Sequence, residues 1–513
     1  MSRKFLLCLI ASLVATCYAS PQIDQITPQA LKPGATTILT FSGSSLADVT
    51  ELWTSFGATA QRTTNSNPDQ VSFEVECPSS ACGIGALQLI SPRGISNYQL
   101  VFVDSLPSEP PPANHHNLTN AQILNPPVSI DCILKNESID YYKFHGTARQ
   151  VFSIEVLAHR LGSQMDPVVK VLNASGTELF FCDDEGGTSR DSRFQFTCPG
   201  DGDYFLAVHD VGYGGGNAFD YRLRIGGFPL IWFTYPLEPI EDASPELFGL
   251  GIAGEEQAYC NAEPRKGLLE QEPNNGNAQA QVFLPPALLN GKFQYSGDVD
   301  CYKFTAEKNQ KLIFQGATRS LGSPADLVLR LTKEDSTLIK QGDLSGANEG
   351  SLTNTFGDGG NYYLQVRELS GVAGSNLPYQ IEVRNAVPGF TLSCEDDKTH
   401  VAPGAETTLK IICTRFDYDG PITLELLPKP SRIDLENNTI AEKKNEVELK
   451  IKASDQCAPG FFAHFKIVGT AKTKLGPFTN DVSTAAALKK TFPLILYPNR
   501  LLDGLFSLAV KEK

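Results

Sequence analysis

The chain reads LGSQMD at Leu161–Asp166 and then the alternating run VVKVL at Val168–Leu172, and a similar pair of phrases occurs again further on. The second copy reads LGSPAD at Leu321–Asp326, followed by LVLRL at Leu327–Leu331. Because side chains alternate between the two faces of a strand, runs of this kind predict half-buried β-strands. A strand-rich segment that occurs twice predicts two copies of one β-domain.

Length and charge limit the classes of protein to consider. At 513 residues the chain is expected to form about three to five domains. Its formal net charge of −15 disfavours a nucleic-acid partner and favours cations as ligands or counter-ions. No later run approaches the roughly 18 apolar residues of a membrane helix, so no stable membrane insertion is expected.

The N-terminus has the pattern of a secretory signal peptide. Arg3 and Lys4 precede an apolar run at Phe5–Ala15, and the small residues of Cys17–Ala19 favour a cut after Ala19. A lipoprotein attached through Cys17 is the alternative. Either reading predicts a protein that is secreted, periplasmic or held at the cell surface.

Cysteine usage follows from that compartment. Ten of the twelve cysteines lie beyond the signal, and an oxidising compartment favours disulfides. We expect Cys182 to pair with Cys198 across a hairpin, Cys77 to pair with Cys82, and Cys394 to pair with Cys413 or Cys457. The sequence does not choose partners for the remaining cysteines.

Residues 20–105 contain short strand patterns separated by glycine and proline. Thr36–Phe41, Val71–Val75 and Ala86–Ile90 predict strands of a β-sandwich. The turn phrases around Pro28, Gly34 and Gly43 resemble the IPT/TIG family of immunoglobulin-like domains. Residues 106–112, rich in proline, are expected to form an extended spacer.

The two repeats, at 113–227 and 270–385, carry a second resemblance. Asp166-Pro167, the CDDEGG phrase at Cys182–Gly187 and GDYFLAV at Gly202–Val208 occur in an order similar to that of the bacterial pre-peptidase C-terminal (PPC) domain. The resemblance implies jelly-roll-like β-sandwiches related to the collagen-binding domains of collagenases. Residues 228–269 are interpreted as a connector.

The last segment, residues 386–513, again alternates with period two. Thr407–Cys413, Ile422–Leu426 and Val447–Ile451 predict an immunoglobulin-like β-domain, with one helical turn at Ala485–Leu488. The predicted fold class is therefore all-β: tandem β-sandwiches in series, an Ig-like/TIG domain, two PPC-like domains and an Ig-like C-terminal domain.

One constellation suggests a metal site. On an extended chain Glu270, Glu272 and Asn274 project to one side, and calcium takes about six to eight oxygen ligands. Asp298 and Asp300, ahead of an aromatic strand, are the second contributors. The PPC resemblance implies a calcium site with this Glu-x-Glu-x-Asn-Asn entrance, which adds Asn275. The alternative is a solvated acidic linker with a turn at Pro273.

Other polar clusters are weaker candidates. The first repeat has no carboxylates at its entrance, so the same calcium site is not expected there, and its adjacent His115 and His116 are expected to point to opposite sides. The acidic phrase at Asp183–Gly187 with Asp191 is an alternative cation site. Three tyrosines, Tyr362, Tyr363 and Tyr379, are candidates for exposed binding residues.

No catalytic residues are predicted. The chain has no Gly-x-Ser-x-Gly, His-Glu-x-x-His or phosphate-cradling motif, and a triad of His209 and Asp210 with Ser175 or Ser192 has no supporting spacing. We expect a non-catalytic binding or spacer protein of the cell exterior whose partner is an extracellular protein or polysaccharide. The alternatives are an accessory or inhibitor partner of a secreted peptidase, and a hydrolase with dispersed catalytic residues.

Overall fold

The computed structural model describes residues 19–110, 113–184, 190–252, 263–342, 349–371, 377–497 and 500–512, without the side chains of residues 64–66. These residues form strands joined by turns, with one α-helix and four short 3-10 helices among them. The all-β prediction is therefore confirmed. The signal-peptide prediction falls almost wholly outside the described residues.

The N-terminal domain is a sandwich of two sheets. Its strands are β1 (Gln22–Thr27), β2 (Ala30–Leu31), β3 (Thr36–Ser44), β4 (Glu51–Thr54), β5 (Thr59–Asn67), β6 (Gln70–Glu76), β7 (Gly83–Ser91), β8 (Gly94–Ile95) and β9 (Gln99–Val103). One sheet has the order β1-β3-β6-β5 and the other β2-β9-β7-β4. The three strands predicted from alternation lie within β3, β6 and β7, whose inward residues, such as Phe41 and Phe73, fill the core.

The first repeat begins within the predicted spacer. Its strands are β10 (Ser108–Glu109), β11 (Gln122–Ile123), β12 (Val128–Ile133), β13 (Asp140–Gly146), β14 (Val151–Leu157), β15 (Pro167–Asn173), β16 (Glu178–Cys182), β17 (Arg193–Thr197), β18 (Gly202–Asp210) and β19 (Asp220–Gly226). Strand β10 pairs in parallel with β12, so part of the proline-rich segment is an edge strand of this domain. The 3-10 helices lie at Leu118–Asn120 and His159–Leu161.

The connector contains a two-stranded hairpin, β20 (Leu230–Tyr235) and β21 (Glu246–Leu250). The second repeat follows, with β22 (Leu268–Leu269), β23 (Gln281–Val282), β24 (Ala287–Phe293), β25 (Val299–Ala306), β26 (Lys311–Ala317), β27 (Leu327–Thr332), β28 (Leu338–Gln341), β29 (Ser351–Thr355), β30 (Gly360–Glu368) and β31 (Leu377–Asn385). Its 3-10 helices lie at Asn277–Gln279 and Arg319–Leu321.

The two repeats have the same topology. The first has sheets β10-β12-β19-β14-β17 and β11-β13-β18-β15-β16, and the second has β22-β24-β31-β26-β29 and β23-β25-β30-β27-β28. The repeated Leu-Gly-Ser phrase forms the same turn in both, because Gly162 (φ 88°) and Gly322 (φ 91°) end a 3-10 helix in the left-handed region. The duplication seen in the sequence is thus a duplication of architecture.

The C-terminal domain is a continuous β-structure with one short helix. Its elements are β32 (Gly389–Cys394), β33 (Lys398–Val401), β34 (Glu406–Phe416), β35 (Ile422–Leu427), β36 (Ile433–Glu436), β37 (Thr439–Ile440), β38 (Glu446–Ala453), β39 (Phe462–Thr473), β40 (Gly476–Ser483), α1 (Ala485–Thr491) and β41 (Phe506–Val510). The helix covers the turn predicted at Ala485–Leu488. Strand β39 pairs with β40, β41 and β35, so one long strand connects three others.

The domains are not arranged only in series. An apolar cluster joins Tyr98 and Leu100 of the N-terminal domain to Leu161 of the first repeat and to Leu488 and Phe492 of the C-terminal domain. The two ends of the chain therefore pack on each other, a contact that period-two patterns cannot reveal because they specify faces and not their partners.

Buried polar groups strengthen this contact between the chain ends. The His464 ring stacks on Trp53 at 4.3 Å between centroids, and its Nε2 lies 3.0 Å from Gln88 Oε1. The backbone amide of Ile95 donates to His400 Nε2 at 3.1 Å. Burial lowers the pKa of both imidazoles to about 4, so they are neutral at pH 7.

The expected disulfide pairs are not formed. The free cysteines among the described residues are Cys77, Cys132, Cys182, Cys198, Cys301, Cys394, Cys413 and Cys457. Strand β16 pairs with β15, and β17 pairs with β14 in the opposite sheet, so Cys182 and Cys198 do not flank a hairpin. In the β32/β34 pair Cys394 lies opposite Ile411 rather than Cys413. Period-two patterns located these strands but could not predict their pairing.

Candidate metal centre

The candidate calcium residues lie where the chain enters the second repeat. Strand β22 pairs in parallel with β24, and the amide of Glu270 donates to the Asn290 carbonyl at 2.8 Å. The following turn is held to β25, because the amide of Cys301 donates to the carbonyl of Asn274 at 2.9 Å. These two attachments bring the acidic entrance against Asp300, the second residue of β25.

Three carboxylates meet at this point. One oxygen from each of Glu270, Glu272 and Asp300 lies within 4.8 Å of the others. Asp300 is fully buried, whereas Glu272 is exposed, so the cluster spans the boundary between the core and the solvent. None of the three forms an ion pair with a described residue. Lys292, which donates its backbone amide to Glu270 Oε2 at 2.7 Å, directs its ammonium group to Glu246 instead.

The side-chain amide of Asn274 faces the same cluster. It is fully buried and lies 3.2 Å from Asp300 Oδ1 and 3.3 Å from Glu272 Oε2. With its nitrogen toward these oxygens, the amide donates two hydrogen bonds. With its oxygen toward them, three oxygens converge, and that arrangement needs a proton or a cation between them. A rotation of this amide would exchange its two hydrogen-bond donors for one oxygen ligand.

The last two predicted ligands lie beside the cluster. Asp298 accepts hydrogen bonds from the backbone amides of Gln294, at 2.7 Å, and Val299, at 2.9 Å, and so caps a turn. Asn275 accepts from the Tyr295 hydroxyl at 2.5 Å. The structure thus brings together four of the six predicted residues, and it places Asp298 and Asn275 in supporting hydrogen bonds.

Burial and mutual repulsion alter the acidity of the carboxyl groups. Burial, followed by the charge of Glu270, raises the pKa of Asp300 to about 9. Burial also raises the pKa of Glu270 to about 7, with further contributions from Glu272 and Asp298. The Tyr379 hydroxyl donates to Asp300 Oδ2 at 2.6 Å and limits the increase for that group. Without a cation this cluster binds protons at neutral pH.

A glycine makes room for the cluster. A Cβ atom on Gly291 of β24 would lie 2.4 Å from Glu270 Oε2 and 2.3 Å from the Tyr379 hydroxyl oxygen. Such contacts are far inside van der Waals distance, so this position must lack a side chain for Glu270 to reach Asp300. Sequence analysis did not single out Gly291, because a glycine in a strand has many possible reasons.

The equivalent position in the first repeat holds histidines. His115 Nε2 lies 3.3 Å from Asp140 Oδ2, and His116 Nδ1 lies 2.8 Å from Asp140 Oδ1. The expectation that the two rings point to opposite sides is wrong here, because the chain bends at His116 toward the 3-10 helix and is not extended. The two imidazoles therefore form a cluster around the buried Asp140 that the spacing of adjacent histidines did not predict.

The acidic residues considered as an alternative cation site in the first repeat do not all come together. Asp183 and Asp184 approach Asp166, whereas Asp191 accepts hydrogen bonds from backbone amides and from Arg160 at 2.7 Å. Residues 185–189 of that acidic phrase lie outside the described residues. The salt bridge from Arg190 to Asp166, at 3.0 Å, already supplies a positive charge to this group.

The catalytic triad considered above does not assemble among the described residues. His209 Nδ1 contacts the Asp210 carbonyl oxygen at 2.9 Å, and its ring stacks on Tyr213. Ser192 donates to the carbonyl of Pro167 at 2.5 Å. Ser175 is exposed and bonds to a neighbouring turn residue. Each of these side chains has a structural contact of its own.

The three tyrosines considered for binding are buried. Tyr362, Tyr363 and Tyr379 are 9%, 3% and 0% exposed, so the expectation that some of these rings face solvent is wrong. Even the adjacent pair is covered, because each face of its strand packs on protein. The exposed aromatic rings include Phe180 and Phe181 of the edge strand β16. The alternation pattern did not predict that these two rings are exposed.

Comparison with known proteins gives matches of low sequence identity and low TM-score. No protein-family model matches the chain, and no curated protein matches it. Among solved structures, the pre-peptidase C-terminal domain of a collagenase from Bacillus anthracis is 18% identical, covering 20% of this chain and 93% of that one, with a TM-score of 0.17. SGBP-B from a xyloglucan utilization locus in Bacteroides uniformis is 13% identical over 72% of this chain and 100% of that one, with a TM-score of 0.15. The N-terminal four Ig domains of Dscam1 isoform 4.4 are 10% identical over 88% and 96%, with a TM-score of 0.14.

No helix within the described part of the chain is both long enough and apolar enough to cross a membrane.

Proposed function

We propose that this chain is a secreted, non-catalytic binding or spacer protein of the cell exterior, in which calcium stiffens the second of two PPC-like domains. The order of domains is an IPT/TIG-like sandwich, two PPC-like sandwiches and an Ig-like sandwich. The partner class is an extracellular protein or polysaccharide. The signal-peptide pattern supports export, and the sequence motifs of the repeats support the PPC assignment.

The observation that carries the calcium proposal is the cluster of Glu270, Glu272 and Asp300 with no ion-pair partner among the described residues, faced by the buried amide of Asn274. All four side chains offer oxygen, the ligand atom that calcium prefers. Two bidentate carboxylates, or water on the exposed side at Glu272, complete a coordination number of about six to eight. A transition metal finds neither nitrogen nor sulfur in this set.

Calcium here would stiffen the junction between the repeats. The ligands come from the entrance segment and from β25, so binding ties the incoming chain to the sandwich and stabilises the fold that holds both. The connector hairpin contacts the same place, because the Tyr235 hydroxyl donates to the Asn290 carbonyl at 3.2 Å and Glu246 pairs with Lys292 at 2.6 Å. A rigid junction sets the relative orientation of the two repeats, which a spacer or a multi-domain binder requires.

The test combines calcium binding with partner binding by the full chain. Isothermal titration should show calcium binding that Asp300→Asn abolishes, while Asp335→Asn, in an exposed loop of the same repeat, retains it. Collagen and glycan arrays probed with and without calcium should then show binding that weakens in the chelator and in Asp300→Asn. Failure of wild-type protein to bind calcium at millimolar concentration refutes the metal site.

The same preparation separates the alternatives. A hydrolase screen that detects turnover by the purified chain would contradict the non-catalytic assignment. Recovery of a peptidase in a pull-down from secreted proteins, together with empty arrays, would favour the accessory or inhibitor role over direct binding to the matrix.

A further inference from the structure

A second polar cluster lies at the entrance of the first repeat, with a different set of donor atoms. Ligand atoms of His115, His116 and Asp140 all lie within 4.8 Å of one another. His115 is 2% exposed and Asp140 is fully buried. The cluster is therefore built into the domain rather than placed on its surface.

The ring of His115 has more polar neighbours than hydrogen bonding can use. Its Nε2 lies 3.2 Å from the Tyr142 hydroxyl, 3.3 Å from Asp140 Oδ2 and 3.6 Å from Cys132 Sγ. A ring nitrogen makes one hydrogen bond, either as donor or as acceptor. Convergence of oxygen, sulfur and nitrogen around one point is instead what a metal ion requires.

Comparison of the repeats shows how this donor set arose at one location. His115 and Asn274 are equivalent, because their carbonyls accept from the amides of Tyr141 and Cys301 at the same place in β13 and β25. Asp140 and Asp300 are equivalent in the same strands, opposite Val208 and Val366.

Cys132 of the first repeat is equivalent to Gly291 of the second. Cys132 lies opposite Tyr221 in β12/β19, as Gly291 lies opposite Tyr379 in β24/β31. The first repeat thus places a thiol where the second leaves space for Glu270. Where the second repeat has only oxygen donors, the first has two imidazoles, one thiol and one carboxylate, a set that suits zinc rather than calcium.

The distances from His115 Nε2 to Asp140 and to Cys132 fit a tetrahedral ion. Around zinc, with bonds of about 2.0–2.1 Å to nitrogen and oxygen and about 2.3 Å to sulfur, nitrogen and oxygen ligands lie about 3.4 Å apart and nitrogen and sulfur about 3.6 Å apart. The contacts of His115 Nε2 with Asp140, at 3.3 Å, and with Cys132, at 3.6 Å, already have these lengths. The contact of His116 with Asp140, at 2.8 Å, has to open by about half an ångström.

An adjacent cavity gives access to the cluster. A space of about 230 Å³ between the N-terminal domain and the first repeat is lined by His115, His116, Cys132 and Gln29. Three buried polar atoms of this lining have no partner among the described residues: His115 Nδ1, His116 Nε2 and Gln29 Oε1. Buried polar atoms without partners are costly, and these two ring nitrogens are the ones that do not face Asp140, so they favour water or another polar group on the cavity side of the rings.

We propose that His115, His116, Asp140 and Cys132 bind a zinc ion at the junction of the N-terminal domain and the first repeat. Binding converts the Cys132 thiol to a thiolate and releases one proton. The ion with one thiolate, one carboxylate and two neutral imidazoles is then electrically neutral, which limits the cost of burying it. The two repeats would use one location for two metals, and this zinc proposal does not depend on the calcium proposal.

The test uses the full chain without an affinity tag of histidines, stripped of metal and kept reduced. Zinc titration by calorimetry should give one equivalent per chain, and cobalt should give a tetrahedral absorption spectrum with a sulfur-to-metal charge-transfer band. His116→Ala should lower zinc affinity by more than the roughly 10–100-fold typical of an outer-shell contact. Cys132→Ser should remove the charge-transfer band.

Two control variants make the result specific. His145→Ala, an exposed histidine of the same repeat paired with Asp203, should bind zinc as the wild type does. Asp300→Asn should keep zinc binding. Metal-free His116→Ala should have the circular dichroism spectrum and the melting curve of the metal-free wild type, which shows that this variant is folded. Absence of zinc uptake by the wild type, or equal affinity in His116→Ala and the wild type, overturns the proposal. A cobalt spectrum unchanged by Cys132→Ser removes the sulfur ligand.

Discussion

Replacing Asp300 with asparagine should stabilise the calcium-free protein and remove the stabilisation that calcium gives to the wild type. In the calcium-free protein the pKa of Asp300 is about 9 instead of the ordinary 3.8, because the carboxyl is buried among other acids. A group whose pKa is raised by folding contributes its full stability below pH 3.8 and loses it as pH rises toward 9. At pH 7 the loss corresponds to about 4 kcal/mol.

Asp300→Asn removes that penalty while retaining an oxygen that can accept from the Tyr379 hydroxyl. Without calcium, the variant should therefore be more stable than the wild type by up to about 4 kcal/mol at pH 7. With calcium at about 100 times its dissociation constant, the wild type gains about 2.7 kcal/mol from binding, whereas the variant gains little. The calcium-dependent increase in Tm should thus disappear in Asp300→Asn.

Differential scanning calorimetry of the full chain at pH 7 is the appropriate assay, because a multi-domain protein can show several transitions. The relevant transition is the one whose Tm calcium raises in the wild type. In chelator, the Tm of this transition should be roughly 10 °C higher in Asp300→Asn than in the wild type. Asp335→Asn is the matched control and should show the wild-type response to calcium. A variant that melts below the wild type in chelator would refute the reasoning about the buried charge.

Three further predictions concern other parts of the structure. Gly291→Ala should weaken calcium binding at least tenfold by calorimetry, since its methyl group displaces Glu270; an unchanged affinity would show that the close approach is not needed. Acidification from pH 6.5 to 4 should destabilise the contact between the chain ends by about 3 kcal/mol for His464, because the buried neutral ring must be protonated. In melts at several pH values, Tm should fall less steeply with acidification in His464→Gln than in the wild type. An identical dependence of Tm on pH would contradict this. Arg222→Met should lower the free energy of unfolding, measured with urea, by about 3–5 kcal/mol, because buried Asp104 loses one of its ion-pair partners. Lys143→Met, which breaks a surface ion pair, should lower it by less than about 1 kcal/mol. Equal losses in the two variants would contradict the prediction that the buried ion pair matters more.

Local patterns predicted the strands well because each strand carries its own signal. Period-two alternation located β3, β6 and β7, and the repeated phrases predicted two domains that share one topology. The same logic found the calcium candidates: residues two apart share a face, so Glu270 and Glu272 approach Asp300 together. The spacing did not predict that the carboxylate of Asp298 accepts hydrogen bonds from backbone amides of a turn, and its role as a ligand stays a prediction.

The remaining features depend on which surfaces meet. Phe180 belongs to an apolar run but is exposed, because β16 is an edge strand. Tyr363 and its neighbour Tyr362 lie on opposite faces of one strand, and both are buried. The histidine cluster required both a bend at His116 and the pairing of β12 with β19, which bring together residues far apart in sequence.

The all-β class, the duplication and most of the acidic entrance could be predicted from the amino-acid sequence, since these follow from short-range periodicity and from motifs within a few residues. The pairing of distant segments established the rest: the N-terminal and C-terminal domains pack together, the expected cysteine pairs are not bonded, and one location carries oxygen donors in the second repeat and nitrogen and sulfur donors in the first. Contacts between distant segments depend on strand order and on the turning of each side chain, and neither is encoded in local alternation.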